Sequence, residues 1–415
     1  MCELSSNAAP VAACLDGFTT TVLYSATMGD ATRSECVNMP VYMDNNATTP
    51  VDPAVFDAMR PYFTEICGNP ANQHHRAGSD ASRAVENARA LVAAAVAAEP
   101  REVIFTSGAT ESNNLAILGV CQRFASGHIV TSAVEHRAVL EPCRYLESRG
   151  WAVTYLQPDR YGSITAQDVD AAITTKTVMV SIMAANNEVG TLQPVEEIGQ
   201  VCRKRGIVFH CDAAQSLGRM TINAKAWNVD LLSLSAHKAY GPKGIGALVL
   251  QERSPSSMPK PLHYGGGQEA GLRPGTLAVP SIVGFGAAAE LAAHNVARES
   301  LRLNALRDSL LKGLMRCCPR LVVHGHPTNA LPGLLSVGFP DINGDELLFA
   351  LKDLAVSQGA ACTAGSPEPS HVLTAIGVGY DLARSSIRFG VGRFSTEEDV
   401  RYAAAEVARV VAILQ

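Results

Sequence analysis

Between about residue 80 and residue 250, short apolar runs alternate with helical patterns. This alternation is typical of βα units, which build a mostly parallel sheet covered by helices. The chain is therefore expected to be an α/β protein with a mostly parallel seven-stranded sheet. The predicted strands are Val103–Phe105, Ile129–Thr131, Ala152–Leu156, Thr177–Ala184, Ile207–Cys211, Leu231–Ser235 and Gly246–Leu250.

A second domain is expected because 415 residues exceed what a single hydrophobic core usually organises. The pattern changes after about residue 295, where leucines recur at helical spacing from Leu303 to Leu314. This change predicts a smaller α+β domain in the C-terminal part of the chain. The predicted divisions are a flexible N-terminal extension over residues 1–38, a large domain over 56–295, and a small domain formed by 39–55 and 296–415.

Two helix starts can be predicted from side chains that accept hydrogen bonds from backbone amides. Ser79 or Asp80 is a plausible N-cap for an amphipathic helix that ends near Ala95. Ser395 and Glu398 have the spacing of a capping box before a final helix.

Composition and charge disfavour several classes of protein. The net charge is −5, and no run of lysine and arginine resembles a nucleic-acid-binding surface. No uninterrupted apolar stretch reaches the roughly 18 residues of a membrane span. The 11 cysteines are scattered without a CxxC pair, which favours reduced thiols in a soluble cytoplasmic protein. Histidine, cysteine and carboxylate residues show no metal-ligand spacing, so no metal is expected.

A candidate catalytic lysine, Lys238, follows the predicted strand Leu231–Ser235 and precedes the turn-forming residues 241–244. Ligands of open parallel sheets bind at the carboxyl ends of the strands. A loop lysine is most often a solvated surface side chain. In a crowded, partly desolvated pocket, however, part of its amine is unprotonated and can form a Schiff base with a carbonyl cofactor.

A candidate carboxylate, Asp212, ends the strand Ile207–Cys211 at the same edge of the sheet. A carboxylate here could pair with a protonated pyridine nitrogen, which lets a cofactor ring accept electrons from a substrate carbanion. An aspartate after a strand is also often the N-cap of a helix. Both interpretations remain open at this point.

A candidate phosphate site lies over residues 106–114, which contain a glycine turn leading from Val103–Phe105 into a helix. The backbone amides and the dipole at a helix N-terminus favour a bound anion. Taken alone, a strand, turn and helix of this kind is also an ordinary connection.

These three elements, in this order, resemble the fold-type I pyridoxal-phosphate enzymes of aminotransferase class V, and in detail the cysteine desulfurases. The resemblance covers roughly residues 40–412 and implies the fold-type I large domain with its smaller C-terminal domain. Further matching blocks are residues 42–50, 132–136, 185–190, 273–276 and 385–389.

The resemblance implies a role for each matching residue. Lys238 would bind pyridoxal 5'-phosphate, Asp212 would pair with its ring nitrogen, and Gln215 would donate to its ring hydroxyl. His136 would stack on the ring and carry protons, since an unperturbed histidine titrates near ~6.5. The remaining implied contacts are Ala109, Thr110, Ser235 and His237 at the phosphate, Thr276 at the phosphate from the neighbouring subunit of a homodimer, Asn187 at the cofactor ring and the substrate, and Arg388 at the substrate carboxylate.

A candidate nucleophile, Cys362, stands among small residues in the segment 357–373. Most cysteines are small buried side chains. The glycine, alanine, serine and proline residues around Cys362 instead predict an exposed and mobile loop. By the resemblance, its thiolate would attack the sulfur of the substrate and carry it outward as a persulfide.

The expected activity is conversion of L-cysteine to L-alanine, with transfer of sulfur through Cys362 to an acceptor protein. Selenocysteine lyase is an alternative that would use the same lysine and cysteine. An aminotransferase or β-lyase of class V would not need the cysteine, and a non-catalytic sulfur-delivery scaffold would have lost turnover. The destination of the sulfur stays open between iron–sulfur cluster assembly, thiolation of tRNA or cofactors, and sulfur modification of DNA.

Overall fold

The computed structural model describes residues 40–251, 255–359 and 368–415. The predicted extension over residues 1–38 and Cys362 lie outside these residues. The described helices are α1 (Pro53–Met59), α2 (Pro61–Thr64), α3 (Arg76–Ala95), α4 (Ala109–Cys121), α5 (Arg137–Ser148), α6 (Ala166–Ala172), α7 (Val195–Arg205), α8 (Val279–Cys317), α9 (Gly344–Ala350), α10 (His371–Ala375), α11 (Tyr380–Arg384) and α12 (Glu397–Leu414). The described strands are β1 (Val41–Tyr42), β2 (Val103–Thr106), β3 (His128–Ser132), β4 (Ala152–Leu156), β5 (Thr177–Ser181), β6 (Val208–Asp212), β7 (Leu231–Ser235), β8 (Gly246–Leu250), β9 (Val322–His324), β10 (Leu334–Gly338), β11 (Leu354–Ala355) and β12 (Ser386–Gly390).

Seven strands form one mostly parallel sheet in the order β2-β8-β7-β6-β5-β3-β4. Only β8 runs antiparallel to its neighbours within this described sheet. The predicted seven-stranded sheet is confirmed, although β5 ends at Ser181 rather than Ala184. One apolar cluster on the sheet includes side chains of α3, α7 and α8, and another includes side chains of α4 and α5. Burial on both faces explains why the central strands are rich in apolar residues without a regular polar alternation.

The C-terminal part contains an antiparallel sheet in the order β12-β10-β9. The N-terminal strand β1 pairs in parallel with β11 of this part. This pairing joins the segment after Pro40 to the C-terminal part of the chain. Helix α8 is continuous over 39 residues and passes through the predicted domain boundary at residues 295 and 296. The division into two domains therefore stays a prediction. No helix of the described chain has the length and apolar character needed to cross a lipid bilayer.

The start of α3 differs from the prediction that Ser79 or Asp80 is its N-cap. The helix begins earlier, at Arg76, and its N-cap is His75, whose Nδ1 accepts a hydrogen bond of 3.0 Å from the amide of Gly78. A neutral imidazole nitrogen can accept a hydrogen bond as a hydroxyl or carboxylate does. Both predicted caps, Ser79 and Asp80, therefore lie inside the helix.

The start of α12 also differs, by one residue. The capping box consists of Thr396 and Asp399 rather than Ser395 and Glu398. The Ser395 hydroxyl instead accepts a hydrogen bond of 3.0 Å from the amide of Gly392 in the preceding loop. Two overlapping capping sequences, shifted by one residue, account for the error.

Candidate active site

One cavity of about 580 Å³ lies where β2, β6 and β7 end, at the carboxyl edge of the large sheet. Thr276, expected from a neighbouring subunit, is exposed and does not line this cavity. Ten of the predicted contact residues do line it: Ala109, Thr110, His136, Asn187, Asp212, Gln215, Ser235, His237, Lys238 and Arg388.

Lys238 ends a single helical turn that follows β7. Its Nζ donates hydrogen bonds of 2.6 Å to the carbonyl of Asn46 and 2.7 Å to the carbonyl of Ala47. Burial, together with the positive charge of Arg388, lowers the pKa of Lys238 to about 8. At pH 7 this leaves roughly a tenth of the amine neutral, compared with less than ~0.1% for an ordinary lysine.

Asp212 is the last residue of β6 and is buried. Its Oδ2 accepts a hydrogen bond of 2.7 Å from the side-chain amide of Asn113, and its Oδ1 accepts one of 2.9 Å from the backbone amide of Ala214. The chain after Asp212 forms turns rather than a helix, so the helix N-cap interpretation is wrong. The carboxylate is held in place at the cavity wall.

The candidate phosphate end of the cavity lies at the N-terminus of α4. Its N-cap is Gly108, which has a φ of 149° and, as a glycine, has no side chain that could accept from the helix amides. Backbone amides in the first turn have no acceptor within the helix, and the helix dipole adds partial positive charge. His237 at the same end bonds Thr48 Oγ1 at 3.1 Å, and burial with the charge of Lys238 lowers the pKa of His237 to about 4.

Arg388 lies on β12 with only 2% of its surface exposed. Its Nη1 donates to the carbonyl of Asn187 at 2.8 Å, and its Nη2 donates to Asp44 Oδ1 at 2.7 Å. Its Nε is buried and has no hydrogen-bond partner among the described residues. The cavity therefore has a fixed guanidinium on one wall.

His136 is the N-cap of α5, and its Nδ1 accepts a hydrogen bond of 3.1 Å from the amide of Ala138. Burial lowers the pKa of His136, which favours the neutral ring. The preceding residue, Glu135, is fully buried, and its Oε1 accepts a bond of 2.8 Å from the amide of Met183 in the cavity wall. Burial raises the pKa of Glu135 well above its usual value.

Several residues that the structure brings to this cavity had no predicted role. The side-chain amide of Asn46 donates to Gln215 Oε1, the side-chain amide of Gln215 donates to the backbone carbonyl of Asn46, and Asn113 holds Asp212. Both asparagines stand in blocks 42–50 and 106–114 that carry the family resemblance. Met183 lines the cavity, and no sequence signal identifies it.

The cavity residues fit pyridoxal phosphate. The buried Oδ1 atoms of Asn46 and Asn113 have no hydrogen-bond partner among the described residues, although buried polar atoms in proteins are normally paired. An amine, a carboxylate and a helix N-terminus match the aldehyde, ring nitrogen and phosphate of this cofactor. The cavity volume also lies in the usual range for ligand pockets of about 300–1,000 Å³.

Comparison with known proteins places the chain in a family. Residues 41–402 match the aminotransferase class-V family. A cysteine desulfurase from Mus musculus is 48% identical over 374 residues, which cover 90% of this chain and 81% of that protein.

Solved structures agree with this match. A NifS-like protein superposes with a TM-score of 0.84 at 37% identity, covering 90% of this chain and 99% of that chain. The protein SspA, solved in complex with cysteine, superposes with a TM-score of 0.76 at 40% identity, covering 86% and 99%. The predicted fold of a fold-type I pyridoxal-phosphate enzyme is thereby confirmed. The chain belongs to the aminotransferase class-V family, and within it to the pyridoxal-phosphate-dependent cysteine desulfurases.

Proposed function

We propose that Lys238 binds the cofactor, that Arg388 binds the carboxylate of L-cysteine, and that Cys362 takes the sulfur and leaves L-alanine. The observation that carries this assignment is the convergence of the Lys238 amine, the Asp212 carboxylate and the Arg388 guanidinium on one cavity. These are the three charged groups that a pyridine ring and an amino-acid substrate require.

The residues around the cavity bind and orient the cofactor. When bound, pyridoxal phosphate supplies a carbonyl carbon for the substrate amine and a ring that stabilises negative charge at the substrate Cα. Asp212, fixed by Asn113 at 2.7 Å, keeps the proton on the ring nitrogen. Gln215 would hydrogen-bond the ring hydroxyl, and the first turn of α4 with Ser235 and His237 would hold the phosphate.

Lys238 and His136 move the protons. The Nζ of Lys238, partly neutral because its pKa is lowered to about 8, accepts a proton from the substrate Cα. The carbonyls of Asn46 and Ala47, 2.6 and 2.7 Å from Nζ, then stabilise the protonated amine. The neutral His136 ring exchanges a proton with the substrate sulfur as it leaves.

Cys362 receives the sulfur. Its thiolate forms a bond to the substrate sulfur while the carbon–sulfur bond of the substrate breaks. The electron pair of the broken bond stays with the carbon, which is protonated to the methyl group of alanine. Cys362 keeps a persulfide, and its outer sulfur passes to an acceptor.

A homodimer would complete the phosphate site with Thr276 of a second copy. In support, Thr276 is exposed, and its segment is fixed to α4 by an ion pair of 3.0 Å between Arg273 and Glu111. A sulfur-acceptor protein, use of the sulfur in iron–sulfur cluster assembly and a cytoplasmic location are further parts of this proposal. The scattered cysteines without a CxxC pair support a reducing compartment.

The test of this function is alanine release from L-cysteine, measured without added keto acid for the wild type and for Cys362→Ala. We expect alanine from the wild type and a loss of at least about 100-fold in the variant, because no other group receives the sulfur. Equal alanine release by the two proteins would contradict the role of Cys362. No alanine from a wild type that binds the cofactor would contradict the role assigned to the whole site.

A further inference from the structure

The carboxylate of Asp44 joins two groups on opposite sides of it. Its Oδ1 accepts the hydrogen bond of 2.7 Å from Nη2 of Arg388, and its Oδ2 accepts one of 2.7 Å from the hydroxyl of Ser357. The Asp44 side chain is only 15% exposed. Both carboxylate oxygens are therefore engaged, one with each partner.

The same three residues are also joined through the backbone. Ser357 and Arg388 form an isolated antiparallel bridge, in which the amide of Arg388 donates to the carbonyl of Ser357 at 2.7 Å. Asp44 forms a parallel bridge with Gly390, two residues further along β12. The position of the Arg388 side chain thus depends on β12 and on the two segments that contain Asp44 and Ser357.

The described contacts of Arg388 do not use all of its hydrogen-bond donors. A guanidinium has five N–H groups, and the described contacts engage Nη1 with Asn187 and Nη2 with Asp44. These contacts use one of the two N–H groups on each Nη, and the side chain lines the cavity. A planar guanidinium held by two partners in this way is pre-oriented for a further carboxylate.

We infer that Asp44 is a positioning residue for substrate binding, which orients the Arg388 guanidinium toward the carboxylate of L-cysteine. Ser357 in turn holds Asp44 in the orientation that Arg388 needs. This inference rests on the proposed function, since it takes Arg388 as the carboxylate-binding residue.

Two small thiols separate positioning of Arg388 from a general effect on the fold. 3-Mercaptopropionate has the thiol and carboxylate of cysteine without the amine, whereas cysteamine has the thiol and amine without the carboxylate. Their inhibition constants would be measured against L-cysteine turnover by the holoenzyme for the wild type, Asp44→Ala, Asp44→Asn and Ser357→Ala.

For Asp44→Ala we expect the inhibition constant of 3-mercaptopropionate to rise about tenfold, as loss of a hydrogen bond between charged groups implies. The constant for cysteamine should stay within about twofold, because cysteamine has no carboxylate for Arg388. The KM for L-cysteine should rise by a similar factor with kcat changed less than about threefold. Asp44→Asn should recover most of the affinity, since its amide oxygen still accepts from Nη2.

Asp52→Ala is the matched control. Asp52 also forms a partly buried ion pair, 2.7 Å from Nη1 of Arg393, between the N-terminal segment and the chain after β12. Neither Asp52 nor Arg393 lines the cavity. This variant should leave the inhibition constants of both thiols unchanged, even where its free energy of unfolding falls.

An unchanged or lower constant for 3-mercaptopropionate in the Asp44 variants would overturn the inference, as would an equal rise for both thiols. Should Asp44→Ala fail to fold, Ser357→Ala decides, because it removes only the bond that orients Asp44. We expect a rise of about threefold for 3-mercaptopropionate there, and no rise would count against Asp44. Titration calorimetry measures the affinity of the same two thiols for each protein even if the wild type releases no alanine. Failure of the proposed function can therefore be distinguished from failure of this inference.

Discussion

Lys238 combines two features that act in opposite directions on its amine. Two backbone carbonyls accept its N–H groups, which stabilises the ammonium form. Burial and the neighbouring Arg388 charge destabilise that form, and they prevail, because the pKa is lowered to about 8. The amine is therefore close to its titration range in a neutral solution.

The rate of cofactor attachment to the apoprotein should depend on pH through this amine. Only the neutral amine attacks a carbonyl, so the rate should rise about tenfold per pH unit below pH 8 and level off above it, as the lowered pKa of Lys238 implies. Stopped-flow absorbance after mixing the apoprotein with pyridoxal phosphate measures this rate. A rate that keeps rising to about pH 10 would instead indicate an ordinary lysine.

At the residue scale, the sequence identified the groups with chemical reactivity but not the groups that orient them. Lys238 and Asp212 could be predicted because they follow apolar strands at one sheet edge. Asn113 could not, since an amide that holds a carboxylate has no sequence pattern of its own. The pairing of Asp44 with Arg388 joins residues 344 positions apart, and residue spacing does not predict such a contact.

Among the secondary-structure elements, α12 begins one residue later than predicted. Thr396 Oγ1 accepts from the amide of Asp399 at 3.1 Å, and the Asp399 carboxylate accepts from the amide of Thr396 at 2.8 Å. The neighbouring Glu398 forms an ion pair with Arg401 on the exposed side of the helix. The capping contribution should therefore come from Thr396 and Asp399.

Replacing Thr396 with Ala should lower the free energy of unfolding by about 1 kcal/mol, because an N-cap hydrogen bond is lost. Glu398→Ala is the control and should change it by less than about 0.5 kcal/mol, as is usual for an exposed ion pair. Urea denaturation of the three proteins measures both effects. A larger effect of Glu398→Ala than of Thr396→Ala would support the capping box expected from the sequence instead.

The strands were predicted more accurately than the helix ends, for a physical reason. A strand such as Leu231–Ser235 is buried along its whole length, so a short stretch rich in apolar residues predicts its position. A helix end depends on one hydrogen bond, and adjacent polar residues such as Ser395 and Thr396 compete for it. The sequence also does not indicate that α8 continues through residue 295. Proline and glycine can mark the end of a helix, but no particular residue marks its continuation.

For the whole molecule, buried histidines make stability depend on pH. Burial lowers the pKa of His210, His237 and His324 to about 4 each, below the value of about 6.5 in an unfolded chain. Between these values the unfolded chain binds protons that the native protein does not. Their contribution to stability is therefore complete above about pH 6.5 and is lost as the pH falls toward 4.

His324 isolates one such contribution, because it lies on β9 and does not line the cavity. In His324→Gln the free energy of unfolding should fall less steeply with acid than in the wild type, by about 1.4 kcal/mol per pH unit between pH 6 and 4.5. Denaturant titrations of both proteins at several pH values give the difference between their free energies of unfolding. The contributions of the other titrating groups, which the two proteins share, cancel in this difference. Parallel curves for the two proteins would mean that His324 titrates normally.

The cavity has walls from both ends of the chain, from Asn46 through to Arg388 on β12. A chain still being made on the ribosome therefore holds the cofactor lysine and its aspartate long before the opposite wall exists. The proposed substrate site is complete only after almost the entire polypeptide has been released, because Arg388 lies on β12. The early segment around Asn46 also forms its contacts with β12 only then. We expect nascent chains stalled before β12 to release no alanine from L-cysteine, so that premature termination gives products without this activity.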